Sequence, residues 1–210
     1  MTAVTRRIGL IVGSARAGGN GAGLAAWLSP IIKSRLNKSP GQTYDVVTVD
    51  PVTAPLPLGP LTDGSRFPAQ IQNVEDYPSE RVRDWSKFVS GCSGFVVLSP
   101  EYNGGYPGEL KHALDHLFYE WQKKPAVLVT YGSQGGGRCA AQLKDILTNL
   151  QLQLTNTQPQ IKLPPKEFVA GEQRVLPGQP APDFLKEFEG TIEKAADELY
   201  ELTNAQVLSS

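Results

Sequence analysis

Three glycine-rich loops contain the residues of this chain best suited to binding an anion or a flat ring. The first, residues 13–21, carries Ser14 and Arg16 among four glycines. Glycines let backbone N–H groups approach an anion closely, and the helix predicted after the loop adds the positive end of its dipole. The serine hydroxyl is a further donor, and the arginine is a bidentate cation. This combination predicts a site for one terminal phosphate group, with a purely structural turn as the alternative.

The same loop does not fit two widespread nucleotide-binding motifs. No Gly-Lys-Ser or Gly-Lys-Thr follows it, which excludes a Walker A loop. Gly21, Gly23 and Ala26 have the spacing of a dinucleotide fingerprint but begin well after the preceding strand ends. The phosphate prediction therefore depends on Ser14, Arg16 and the glycines around them.

The other two loops are suited to a flat heterocycle. Residues 99–108 contain Glu101, Tyr102, Asn103 and Tyr106, which can stack on a ring and hydrogen-bond to its edge. Residues 131–138 contain three consecutive glycines just before a predicted helix, whose dipole favours negative charge on such a ring. The structural alternatives are an ordinary turn with a surface tyrosine and a flexible helix cap.

The elements that must position these loops follow from the apolar pattern. Short continuous apolar runs, typical of strands buried on both faces, occur at residues 8–12, 46–49, 95–98 and 126–131. A weaker strand at residues 152–161 contains Pro159, which favours a sheet edge. Apolar stripes at helical spacing alternate with the strands. The third extends from Leu110 to Trp121, and the last is opened by Asp183 as the expected N-cap.

This alternation predicts an α/β fold in which right-handed crossovers join parallel strands and helices cover both faces of the sheet. We expect one domain over residues 1–210, with five strands in the order 2-1-3-4-5. That order places the three loops together at the carboxyl ends of the strands, where open sheets bind ligands. The proline-rich residues 51–79 are expected to form an interface arm or a lid, the alternative being a loop packed on its own domain. Residues 203–210 are expected to form a mobile tail.

Composition excludes several classes of protein. The chain has 210 residues, 40% hydrophobic and 20% charged, as expected of a globular rather than a disordered protein. The net charge of −1 provides no basic excess for binding nucleic acid. The apolar run at residues 8–12 is too short for a membrane span or a secretory signal. Two cysteines, Cys92 and Cys139, fit a reduced cytoplasmic protein.

Taken together, the loops resemble those of the NADPH-dependent FMN reductases of the flavodoxin-like superfamily, particularly the fungal NAD(P)H:quinone reductase branch. The similarity runs from about Arg7 to Pro164 in the same motif order. Its most specific stretch is Pro100-Glu101-Tyr102-Asn103 with Tyr106-Pro107, Leu110-Lys111 and Ala113-Leu114-Asp115. Gly13-Ser14-x-Arg16 with Trp27, and Tyr131-Gly132-x-x-Gly135-Gly136, complete the pattern. The resemblance implies a flavodoxin-like three-layer sandwich that binds FMN without a covalent bond.

Matching positions imply a set of FMN contacts. The phosphate would be held by Ser14 and Arg16 with the backbone around Asn20 and Gly21. The isoalloxazine ring would be lined by Pro100, Glu101, Tyr102 and Asn103, and its pyrimidine side would face Ser133, Gln134, Gly135 and Gly136. Relatives often have a basic residue in place of Gly19, and Gly-His in place of Ser133-Gln134.

The resemblance also implies a homodimer with the flavin near the subunit boundary. Tyr106, Trp121 and the arm at residues 51–79 are then the interface candidates. NADPH or NADH would donate electrons and leave, and a quinone or another flat acceptor (free FMN, an azo compound or a nitroaromatic) would then take two electrons in a ping-pong cycle. No acid–base side chain is expected, because the cofactor carries the chemistry.

Two other functions remain open at this stage. One is a flavin-loaded module whose redox state is read by a partner protein. The other is a one-electron carrier of the flavodoxin type, although the near-neutral charge gives little support for charge-steered docking.

Several other residues are expected to be structural. His112 and His116 have the i, i+4 spacing of metal ligands, but the residues between them lack the glutamate of a zinc HExxH motif, so we predict no metal site. The chain has no Gly-x-Ser-x-Gly elbow to support a serine hydrolase. Cys92 and Cys139 are expected to fill the interior.

Overall fold

A computed structural model describes residues 5–39 and 42–208. The strands and helices alternate as the apolar pattern predicted. The strands are β1 (Thr5–Val12), β2 (Thr43–Val49), β3 (Cys92–Pro100), β4 (Pro125–Gly132), β5 (Gln153–Leu154) and β6 (Gln160–Lys162). The helices are α1 (Asn20–Leu36), α2 (Glu80–Ser90), α3 (Gly108–Asp115), α4 (Gly137–Asn149) and α5 (Lys186–Leu208).

The sheet is parallel and has the order β2-β1-β3-β4-β5, with β6 also paired to β4. This arrangement confirms the flavodoxin-like fold and the 2-1-3-4-5 order. Val12 pairs with Leu98, and Leu98 pairs with Val129, so the carboxyl ends of β1, β3 and β4 lie side by side. The three glycine-rich loops therefore begin at the same edge of the sheet.

The last strand differs from the single edge strand expected at residues 152–161. It is divided into β5 and β6, which makes the sheet six-stranded rather than five-stranded. Thr155 N donates to Ala126 O and Thr130 N donates to Pro159 O, so the intervening residues bow away from β4. Glu198 holds this detour by accepting bonds from Thr157 N at 2.8 Å and Thr157 Oγ1 at 2.6 Å. Pro159 cannot donate to the ladder, which is why an unbroken strand does not form.

Helices cover both faces of the sheet and form two cores. On one face, α1 and α5 pack against the inward side chains of β1, β3 and β4. On the other face, α2, α3 and α4 pack around Trp85 and Trp121, both completely buried. The Trp121 indole donates to Leu114 O at 3.1 Å and lies edge-on to Phe95. Trp121 is therefore a core residue, and its prediction as a dimer contact was wrong.

The helix predicted from Leu110 to Trp121 is shorter than its apolar stripe. Helix α3 ends at Asp115, and a short 3₁₀ turn at Tyr119–Trp121 follows. Phe118 has φ −136° and ψ −63°, which is not helical and separates the two pieces. The stripe continues past the helix because both pieces face the same core.

The proline-rich arm is partly anchored and partly exposed. Leu56, Ile71 and Tyr77 insert into the second core, and Tyr119 Oη donates to Ala69 O at 2.9 Å. Phe67, by contrast, is 69% exposed. The arm thus packs on its own domain, which was the alternative to an interface arm or a lid. It still leaves one large aromatic side chain in solvent.

The carboxyl-terminal residues also differ from expectation. Helix α5 continues to Leu208, so residues 203–208 are helical rather than an unstructured tail. Thr203 is buried, and its hydroxyl lies 3.2 Å from Tyr44 Oη. Residues 209 and 210 of the expected tail lie outside the described residues. No helix in the described ranges has the length and apolar character needed to cross a bilayer.

Candidate functional site

The first glycine-rich loop leaves the start of α1 available to an anion. The N-cap of α1 is Gly19, which makes no side-chain capping bond, and the first turn of the helix contains no acidic residue. The first N–H groups of a helix have no partner within the helix itself. Ser14 is almost buried at the base of the loop, where its Oγ accepts a bond from Arg16 N at 3.3 Å. The loop therefore presents a hydroxyl, a guanidinium and uncapped amides, which are the donors a phosphate requires.

The loop after β3 contains a tight turn. Tyr102 N donates to Gly105 O at 2.8 Å, and Gly105 N donates back to Tyr102 O at 2.9 Å. The two residues between them, Asn103 and Gly104, have φ of 50° and 82°. Two successive positive φ values define a type I′ turn, for which Asn-Gly is the preferred pair. Gln142 of α4 fixes the turn by donating to Gly104 O at 3.0 Å.

Tyr102 connects the loop after β1 with the loop after β3. Its Oη lies 2.6 Å from Ser14 Oγ, and the Arg16 guanidinium carbon lies 4.0 Å from the centre of its ring. This cation–π contact orients the guanidinium at the edge of the loop. The position of Arg16 thus depends on the turn that carries Tyr102.

Glu101 joins the same turn to the loop after β4. Its Oε2 accepts from Arg138 N at 3.1 Å, which caps the first turn of α4, and its own N–H donates to Tyr131 O at 3.0 Å. A carboxylate at a helix N-terminus is also favoured by the helix dipole. The acidic side chain therefore positions the two loops relative to each other.

A cavity of about 330 Å³ opens between these loops. Half of the predicted site residues line it, namely Ser14, Arg16, Asn20, Pro100, Glu101 and Tyr102. The other half do not line it, namely Gly21, Asn103, Ser133, Gln134, Gly135 and Gly136.

Three glycines outside the cavity have structural explanations. A Cβ on Gly21 would lie 2.9 Å from Tyr131 Oη. Gly135 and Gly136 both have φ of 80°, and both are packed against neighbouring backbone or side chains. The role of Gly21 at the phosphate and that of Asn103 along the isoalloxazine ring stay predictions. So do the roles beside the pyrimidine side of the ring, which the sequence analysis gave to Ser133, Gln134, Gly135 and Gly136.

The cavity has a further wall that the sequence analysis missed. It is formed by Tyr131 and Leu163 and by three residues of the segment after β6, Phe168, Val169 and Arg174. We call residues 164–176 the strap. Burial raises the pKa of Tyr131, so its hydroxyl stays neutral near pH 7. The position of Tyr131 at the end of a strand was a usable signal, whereas no motif marks the strap.

The two histidines of α3 have a structural arrangement. His116 is buried, and its Nδ1 lies 2.6 Å from His112 O. Burial lowers the pKa of His116 and favours the neutral ring. Among the described residues, no group of three or more His, Cys, Asp or Glu side chains could hold a metal ion.

Comparison with known proteins places these loops in a family. Residues 6–162 match the family described as NADPH-dependent FMN reductase. The chain belongs to this FMN reductase family. It is 35% identical over 199 residues to an NAD(P)H-dependent FMN reductase of Schizosaccharomyces pombe, covering 95% of this chain and 91% of the relative. It is also 31% identical over 105 residues to a quinone reductase of Escherichia coli, covering 47% of this chain and 55% of that protein.

A solved structure supports the fold independently. The flavoenzyme NAD(P)H:(acceptor) oxidoreductase from Paracoccus denitrificans aligns with a TM-score of 0.62 at 17% identity, over 95% of this chain and 98% of that one. At this identity the likeness shows the fold alone. The family and the enzyme class predicted from the sequence are confirmed by the sequence matches.

The residues of the site fit FMN, the cofactor of the FMN reductase family. One end of the cavity has the uncapped start of α1 with Ser14 and Arg16, which suits a phosphate. The walls beyond it combine Pro100 and Phe168 with the phenol rings of Tyr102 and Tyr131, which suit the rest of an amphipathic ligand. The phosphate-binding and ring-binding predictions are therefore compatible with one continuous site.

Proposed function

We propose that this chain is a single-domain, FMN-dependent NAD(P)H oxidoreductase that reduces quinones or similar flat acceptors in a ping-pong cycle. The supporting observation is the cavity in which the uncapped start of α1, Ser14 and Arg16 meet the turn at Tyr102, in a chain of the FMN reductase family. FMN, when bound, supplies two-electron transfer between a reduced nicotinamide and the acceptor. The protein supplies binding, orientation and electrostatics.

The first loop holds the phosphate end. The Ser14 hydroxyl, the Arg16 guanidinium and the N–H groups near Asn20 would hold the phosphate by donating hydrogen bonds to it. Charge-assisted hydrogen bonds of this kind are about twice as strong as neutral ones. The Tyr102 ring orients Arg16, which lowers the side-chain entropy that binding would cost.

The turn at residues 102–105 provides a rigid platform for the ring. Its two reciprocal backbone bonds and the contact from Gln142 fix Tyr102, while pairing with Tyr131 of β4 holds Pro100 and Glu101 before any ligand arrives. The Glu101 carboxylate is engaged at the start of α4, so we assign it a positioning role and not a proton-transfer role. The chain orients its reactants by shape and dipoles and needs no acid–base pair.

The arm supports a homodimer. Val52, Leu61 and Phe67 of this segment are 56%, 50% and 69% exposed. A second copy of the chain would remove these side chains from water. Phe67→Asp should shift the protein toward monomer in light scattering, and an unchanged mass would exclude this contact. Both cysteines are free and buried, in keeping with a cytoplasmic location.

The visible absorption spectrum of the purified protein tests the proposal. We expect flavin bands that bleach in one step when NADPH is added without oxygen. Addition of a benzoquinone should restore the bands, with steady-state turnover of about 1 per second or faster. A colourless protein that fails to take up added FMN would contradict the proposal. Reduction by NADPH without turnover on any quinone would contradict the acceptor class.

A further inference from the structure

The strap lies beyond the part of the chain that matches the FMN reductase family, which ends at residue 162. It follows β6 with a single π-helical turn, Pro165–Val169, and then passes over the start of α1. Phe168, Val169 and Arg174 on the strap line the same cavity as Ser14, Arg16 and Gly18. The strap is therefore a wall of the phosphate end of the site.

Three contacts hold the strap against α1. Asn20 Nδ2 donates to Phe168 O at 3.0 Å, and Val175 N donates to Asn20 Oδ1 at 2.8 Å. Gly23 permits the close approach, because a Cβ there would lie only 2.0 Å from Val175 O. Outside α1, the Phe168 ring packs edge-on against Phe184, with the ring centroids 4.9 Å apart. One amide side chain thus binds both ends of the segment that carries Arg174.

The Arg174 side chain is held by hydrogen bonds to the backbone of the strap. Its Nη1 donates to the carbonyls of Gly171 and Gln173, both at 2.6 Å. A guanidinium has five N–H groups in a planar fork, so Nη2 and Nε keep donors for an anion. The side chain is only partly exposed, whereas Lys166 on the same strap is exposed and does not line the cavity.

The charge of a phosphate group, compared with the positive charge of the first loop, indicates a role for Arg174. A phosphate monoester carries a charge of about −1.5 to −2 near pH 7. Within residues 13–23, Arg16 is the single lysine or arginine, so the first loop neutralises about half of that charge. A second guanidinium on another wall of the same cavity would balance the remainder.

We infer that Arg174 is a second phosphate-binding residue for FMN, carried to the site by the strap that Asn20 and Gly23 hold in place. This inference rests on the proposed function. It also deepens that function by naming a second contact to the phosphate of FMN.

The test compares FMN with riboflavin, which has the same ring but no phosphate. Full-length protein freed of flavin by dialysis against a chaotropic salt is returned to buffer and titrated with each flavin, and binding is followed by flavin fluorescence. Arg174→Gln should lower FMN affinity about tenfold or more and leave riboflavin affinity unchanged. Lys166→Gln makes the same charge change on the same strap and should alter neither affinity.

Gly23→Ala is a second variant, which moves the strap without removing any donor. It should also lower FMN affinity selectively, with circular dichroism confirming that the protein remains folded. Unchanged FMN affinity in Arg174→Gln would overturn the inference. An equal loss for both flavins, or an equal effect of Lys166→Gln, would also overturn it. A wild-type protein that binds neither flavin would instead contradict the proposed function.

Discussion

Replacing Asn20 with alanine should free the strap while leaving every backbone donor of the phosphate loop in place. The Asn20 side chain makes two hydrogen bonds to the strap, one to Phe168 O and one from Val175 N. Phe168 and Val175 are both buried, so water does not readily replace the lost partner. The variant separates the strap from α1 without changing a charge.

The expected magnitude follows from these two bonds. Leaving a buried amide or carbonyl without a partner costs about 1 to 3 kcal/mol, so the two groups together should cost the closed strap about 2 to 6 kcal/mol. At about 1.4 kcal/mol per factor of ten, even 2 kcal/mol makes the open strap roughly 30-fold more populated.

Limited trypsin digestion measures this population, because the strap contains Lys166 and Arg174. Cleavage after these residues is followed by mass spectrometry. It should accelerate by roughly 30-fold or more in Asn20→Ala when the strap opens and closes faster than trypsin cleaves it. Asn37→Ala is the matched control. Asn37 lies at the other end of α1, where its side chain bonds to Lys33 and Tyr44, and its loss should not accelerate cleavage of the strap.

The outcome that would refute this reasoning is specific. Cleavage of the strap at the wild-type rate in Asn20→Ala would mean that the two bonds do not hold it. Equal acceleration in Asn20→Ala and Asn37→Ala would mean that global unfolding, and not local opening, exposes the strap.

Further predictions concern the turn, its cap and one buried lysine. Glu101→Ala should cost about 0.5 to 2 kcal/mol in urea unfolding by uncapping α4, and Glu101→Gln should cost less because it keeps an acceptor. Asn103→Val should cost about 1 to 2 kcal/mol in the same assay, because its φ is 50°. Lys124 Nζ donates to three carbonyls around the end of α2, and burial lowers its pKa to about 8. Since an unfolded lysine stays protonated to about pH 10.5, wild-type stability should rise relative to Lys124→Met between pH 8 and 10.5. A stability difference that does not change with pH would contradict that assignment.

The fold could be predicted because local signals agree with each other. Continuous apolar runs at β1, β3 and β4 and helical stripes between them require a parallel sheet, and this sheet brings the loops together. The first loop could be interpreted from residue types, because its donors are side chains and backbone amides of one short segment. The type I′ turn was also available in the sequence, since Asn103-Gly104 is the preferred pair.

Other features depend on contacts between distant parts of the chain. The apolar stripe through Trp121 would look the same in the sequence if it faced a partner subunit or the core. Its packing against Phe95 shows that Trp121 belongs to the core. The strap has no periodic pattern, and Arg174 reaches the site only because Asn20 and Gly23 accept the strap from about 150 residues away. Helix α5 extends into the expected tail because Thr203 meets Tyr44 of β2.

The divided last strand has a consequence for association at high concentration. A long exposed edge strand offers an uninterrupted row of N–H and C=O groups on which another chain can polymerise. Here the edge consists of a two-residue and a three-residue strand, separated by a detour that Glu198 holds away from β4. The growing end of an intermolecular sheet would find no continuous template there.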